Sequence, residues 1–350
     1  MKLLTQSAFN GRSLLSASLV CLALVGCGGG DGDDNAGFDF EPVVIADFNM
    51  ADIAGAVIMT NSVGSSLVGG TDVVPGVETT SPPASPAYLL AGLAVTKLES
   101  VTDKLAGADV VSGTQYTETL ACEVSGSLTL TWDDRDNDLE PSPGDVIAIT
   151  ANACQEYDDT VLQTLTGTLR MTINSYDLLG LTDLTAQYTN LEFAQPDFVI
   201  TADGTMRILE TYVDLTTTQI SIQSNSLSYV VAITGGQTYE THALSLAFDG
   251  TEYLGTTDDR IEWTTTQTLG AIFPTFMGSF DVETMATVVE YYKNIDAGKL
   301  KVTGANNTVL YITFQESNAV LPELDSNNDG IIDVTTPTTV QALNPIYDFD

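Results

Sequence analysis

From residue 115 onward, apolar and polar residues alternate with a period of two. Val124, Gly126, Leu128, Leu130 and Trp132 fall on one face, and Ser125, Ser127, Thr129 and Thr131 on the other. The pattern returns over residues 165–173, in Leu244, Leu246 and Phe248, over residues 299–302, and in Leu310, Ile312 and Phe314. Such segments are half-buried antiparallel strands with one apolar face and one threonine-rich face. A start of the form Gly-x-(Leu/Phe)-x-(Leu/Met/Val) recurs at Gly126, Gly167, Gly278 and Gly298 and predicts a repeated β-unit. Asp203-Gly204, Gly235-Gly236 and Asp249-Gly250 read as turns between strands. About a dozen strands in series make an extended meander. Its apolar face requires closure into a barrel or half-barrel, stacking as a sandwich, or a cover of N-terminal helices. The predicted fold is mostly β, an extended antiparallel meander with a short helical N-terminal region.

Upstream the period changes. Residues 48–61 carry apolar positions at near-helical spacing, with Asp47 or Asn49 as candidate caps. A breaker-rich stretch over 69–86 reads as a linker or surface loop. Ser85-Pro86 then opens a second predicted helix running to about Leu105, with Pro at its first position. Its Leu89, Leu93, Leu98, Val101 and Leu105 form a stripe of the kind that faces a core. The predicted organisation is a leader over 1–26, an acidic Gly/Asp tether over 27–46, a helical region over 47–114 and a β domain over 115–350.

The leader changes the setting of this fold. Lys2 and Arg12 precede a short apolar run over 14–25, too short to span a bilayer, which ends in Leu24-Val25-Gly26-Cys27. Those four residues match the bacterial lipobox, so the segment resembles a lipoprotein export signal. The resemblance implies cleavage before Cys27 and acylation of that cysteine. Gly28 follows it, which in the enteric pattern implies sorting to the outer membrane of a Gram-negative cell. Several acyl chains would hold the protein there durably, where one alone would not.

Removing residues 1–26 takes away two of the 11 basic residues and none of the 47 acids, so a formal charge of −36 becomes −38. That excess excludes a nucleic-acid partner, which needs a basic stripe, and it fits a solvated surface or cation binding. With 43% apolar residues the chain is not a disordered acidic tail. Beyond Cys21 and Cys27, the four cysteines leave Cys122 and Cys154, which in an exported protein read as a disulfide. Strands over 126–132 and 145–151 form one predicted hairpin, and the two cysteines are expected to meet across its ladder.

Two constellations point to cations. Asp325-Ser326-Asn327-Asn328-Asp329-Gly330-Ile331-Ile332-Asp333 places oxygen ligands at positions 1, 3 and 5 with Gly at 6 for the sharp turn. Ca²⁺ takes six to eight oxygens, and alternate residues of a wrapping loop turn inward. The segment resembles the calcium loops of EF-hands, dockerins and thrombospondin type 3 repeats. By that resemblance Asp325, Asn327, Asp329 and Asp333 supply side-chain oxygens and Ile331 its carbonyl. Thr336 stands where an EF-hand carries a bidentate Glu, which favours a structural extracellular site over a signalling one. The hairpin tip offers a second, weaker set, Asp134, Asp136, Asp138 and Asp145, with Leu139 in the place of the loop glycine.

Hydrolytic machinery does not stand out. There is no Gly-x-Ser-x-Gly, and a single histidine, His242, rules out His-Glu-x-x-His. His242 alternates onto the face of Leu244 and Leu246, a packing position. Lipobox, tether, early helices, stapled hairpin and threonine-rich meander together resemble a group of Gram-negative β-rich lipoproteins, a likeness that brings no activity with it. The expected role is a non-catalytic scaffold, anchored to the membrane and stabilised by calcium and a disulfide. The alternatives are a carrier of a lipid or other apolar ligand in a half-barrel, and a polysaccharide-binding or polysaccharide-acting surface protein.

Overall fold

The computed structural model describes residues 39–68, 115–137, 142–158, 161–177, 181–214, 216–253, 260–291 and 294–343. The leader with Cys27, most of the tether, the 69–86 linker, the second predicted helix and Asp138 lie outside the described residues. The first strands are β1 (Gln115–Ala121), β2 (Ser125–Asp133), β3 (Val146–Asp158), β4 (Val161–Asp177), β5 (Leu181–Ala194) and β6 (Phe198–Asp214). β7 (Thr217–Ser224) and β8 (Leu227–Ile233) follow, then β9 (Thr238–Tyr253), β10 (Arg260–Phe273), β11 (Phe276–Tyr291) and β12 (Asn294–Thr303). β13 (Val309–Gln315), β14 (Ala319–Asp325), β15 (Val334–Thr335) and β16 (Thr338–Thr339) complete a single 16-stranded antiparallel sheet. Neighbours in sequence are neighbours in space, except that β7 and β8 lie end to end between β6 and β9. Among the described residues no pairing joins β1 to β14, β15 or β16, so the path is open. The fold is mostly β, as the alternation predicts.

The predicted early helix is present as α1 (Met50–Val68). Asn49 does not act as a simple side-chain cap. It instead accepts the backbone N–H of Ala46 at 2.8 Å and donates to the Val44 carbonyl at 3.1 Å, fixing the entry turn. Every residue from Ile53 to Asn61 is buried, so over those residues the helix has no solvent face. Its β-branched Ile53, Val57 and Ile58 are indifferent helix formers, and enclosure decides the conformation. Thr60 and Asn61 tolerate burial because each donates to the carbonyl four residues back, at 2.9 and 2.8 Å. α1 packs on β9, β10 and β14, and on the short α2 (Val340–Leu343), so the sheet curls round it.

A crease runs across the first half of the sheet. Gly126 and Gly167 both have positive φ, and each faces a bulged residue of the next strand, Ala153 and Asn190, themselves at φ 47° and 45°. Gly204 on β6, also at positive φ, comes as close to the carbonyl of Ser226, between β7 and β8. A bulge inserts one residue and shifts the buried parity, so β3 buries Ala151 and then Cys154, and β5 buries Tyr188 and then Leu191. The repeated Gly-start of the sequence is thus no unit of fixed meaning. Gly126 and Gly167 serve the crease, whereas Gly278 makes room for the passing carbonyl of Glu41.

Two predicted turns are corrected. Asp203-Gly204 and Asp249-Gly250 lie inside β6 and β9. The Asp203 carboxylate accepts the N–H of the bulged Asn190 at 3.0 Å, completing the crease. Gly250 pairs with Trp263 in the ladder. Gly235-Gly236 does turn, between β8 and β9.

Candidate metal centre

The hairpin of β2 and β3 forms, but in a register that pairs Trp132 with Ile147 and Leu128 with Ala151 and so does not set Cys122 opposite Cys154. The Cys122–Cys154 disulfide is present, with Cα atoms 5.5 Å apart. Its position differs from the expected one. Cys122 sits in the turn between β1 and β2, its N–H bonded to the Gly126 carbonyl at 3.3 Å, and Cys154 lies past the β3 bulge. The bond therefore ties that turn to β3 and does not join ladder partners.

Within the same hairpin, the tip gathers carboxylates. Asp134, Asp136 and Asp145 place ligand oxygens within 4.8 Å of one another, and among the described residues they are the group of acids so arranged. Asp134 and Asp145 are fully buried, and Asp136 is exposed. Asp145 is oriented by the Trp132 indole N–H at 3.3 Å and the backbone N–H groups of Arg135 and Ser142 at 2.9 and 3.1 Å. Asp134 accepts the Asn137 N–H at 2.6 Å, while Asp136 accepts the Ser142 hydroxyl at 2.9 Å. Three acids in this space repel one another unless a cation or donors offset them. The cluster can hold a metal ion. Spacing identified the acids, but the supporting Trp132 and Ser142 carry no local signal of that role.

The 325–333 loop is shaped differently. The fully buried Asp325 accepts the N–H groups of Asp329 and Gly330 at 3.2 and 2.8 Å. Asn327 accepts from Asp329 at 3.0 Å, and Asp329 from Ile331 at 2.9 Å, so alternate side chains wind the backbone inward. Asp333 turns back to the N–H and hydroxyl of Ser326, and those donors hold its carboxyl below the usual range. The loop's three carboxylates do not form a group like that of the tip. Ile331, expected to lend its carbonyl, has an exposed side chain.

His242 is occupied elsewhere. It contacts the Glu240 carboxylate at 2.5 Å and packs on Phe40, with ring centroids 5.1 Å apart. It shares a face with Leu244 but not with Leu246, because a bulge between them reverses the parity of β9. No family model matches the chain, and no curated protein and no solved structure is significantly similar to it.

Proposed function

We propose that the protein is a lipid-anchored, non-catalytic scaffold of a Gram-negative outer membrane, with calcium as the ion of its acidic sites. The observation that carries this reading is the close packing of α1 against β9, β10 and β14 on the buried side of the sheet. The cavity between α1 and β10–β13, lined by Ile58, Asn61, Trp263 and Phe314, measures only 10 Å³. That is room for about one water and not for an acyl chain, so this observation favours a scaffold over the carrier reading. The Cys122–Cys154 bond supports an oxidising compartment, and the lipobox at Cys27 supports the anchor. Buried oxygens already held by backbone donors at the 130s tip suit a hard cation that accepts flexible oxygen geometry. Asp325, Asn327 and Asp329 make the second calcium site of this reading.

Palmitate labelling with membrane fractionation tests the anchor. The wild type incorporates label and sediments with the outer membrane, and Cys27→Ser does neither. Label retained by Cys27→Ser refutes the assignment. Calcium is tested by the melting temperature: chelation lowers it, and calcium restores it. Asp136→Asn, at an exposed position, removes the tip's share of that response without destabilising the chelated protein.

A further inference from the structure

The polar face of the sheet carries a cleft of 360 Å³ over β6, β7, β9, β10 and β11. Its floor follows directly from the strand register. One rank across the strands is Thr211, Gln219, Thr251 and Glu262, and the next is Leu209, Ser221, Asp249 and Thr264. Cross-strand partners share a face, so both ranks point into the cleft. A third rank, Tyr253, Arg260 and Tyr291, borders them. There the Arg260 guanidinium lies 4.3 Å over the Tyr253 ring and donates to Glu262 at 2.8 Å. These contacts fix the rotamers of the border, so the wall is pre-organised.

Charge and polarity select the ligand class. Asp249 and Glu262 line the cleft with no cation among the lining residues, and Arg260 at the border is held by Glu262, so an anionic ligand is repelled. The lining's apolar residues are Leu209, Ile220 and Trp263, and the last two are buried at strand positions of the opposite parity, so a lipid meets little apolar surface among hydroxyls, a carboxamide and carboxylates. The volume matches that of small-ligand sites. Carboxylates and the Gln219 carboxamide accept from hydroxyl donors, and the threonine and serine hydroxyls do either. We propose that this cleft binds a neutral oligosaccharide.

The test is calorimetric titration of the full chain, in a detergent without a sugar headgroup, with malto-, cello-, laminari-, xylo- and chito-hexaose. At least one binds saturably with one site per chain. Asp249→Asn and Glu262→Gln each weaken it about tenfold, as the loss of a charge-assisted hydrogen bond does. Thr251→Trp fills the floor and abolishes binding, while Thr150→Trp, on β3 of the same face, leaves it intact. The two isosteric variants keep the test decisive if Thr251→Trp unfolds. The proposal is overturned if none of the five sugars binds, if binding survives Thr251→Trp, or if hexagalacturonate binds as tightly as the neutral sugars.

Discussion

Replacing Gly167 with Ala tests the crease as the element that shapes this sheet. Gly167 has φ 107°, where an L residue costs on the order of 1–2 kcal/mol. A Cβ built there lies 2.1 Å from the Asn190 carbonyl oxygen and 2.6 Å from its carbon. Both are backbone atoms, so no side chain can swing aside. β4 and β5 must part locally, which weakens the ladder on either side, where Thr166 pairs with Glu192 and Thr168 with Thr189. Each lost backbone bond is worth about 1 kcal/mol. Gly235→Ala is the internal control, since it also has positive φ, 69°, but nothing lies within 4 Å of its added Cβ. Both variants stiffen the unfolded chain alike, so their difference isolates the clash. The expected difference is about 2 kcal/mol in favour of Gly235→Ala, from two weakened ladder bonds. Urea unfolding reads it from the midpoint, with the slope checked for constancy. Equal midpoints for the two variants would refute the crease.

Reduction of Cys122–Cys154, 32 residues apart, should lower stability by about 3.7 kcal/mol in the loop-entropy model, and the thiols should resist alkylation until reduced. A reduced protein as stable as the oxidised one contradicts this. Asp183 accepts two bonds from Arg207, at 2.9 and 2.6 Å, and that interaction chiefly holds its carboxyl below the usual 3.8, against the opposing effect of burial. Because the folded value is depressed, the stabilisation is present above the unfolded value and disappears as pH falls through the folded one. Arg207→Leu should move the Asp183 carboxyl titration upward by NMR, and an unmoved midpoint would refute the pairing. Burial raises the Tyr188 and Tyr229 phenols, so neither should ionise in an alkaline ultraviolet titration before the protein unfolds. Early ionisation of both would show that this face is wet.

The strand-rich body, α1, the stapled hairpin and the acids of its tip were legible because each rests on local signals: alternation, helical spacing, cysteine context and carboxylate clustering. The crease was not. Gly126 and Gly167 are visible as a repeat, but their cause is a carbonyl on another strand. Asp203-Gly204 carries the chemistry of a turn because a crease needs the same two things, a positive φ and a side-chain acceptor for a stray N–H. Leu246 changes face relative to His242 for the same reason, since one bulge reverses period-two reading beyond it. Spacing alone favoured the 325–333 loop as a cation site. The fold brings the acids 134, 136 and 145 together through an indole N–H and backbone donors that a linear pattern does not display.

The most direct test of a self-filled, cation-braced scaffold is native mass spectrometry of residues 28–350, exported without the anchor and purified in calcium. The account predicts added mass of one or two calcium ions, lost with Asp136→Asn at one of them, and no lipid-sized adduct. A discrete lipid adduct released on unfolding, or a protein that carries no calcium at all, would contradict it.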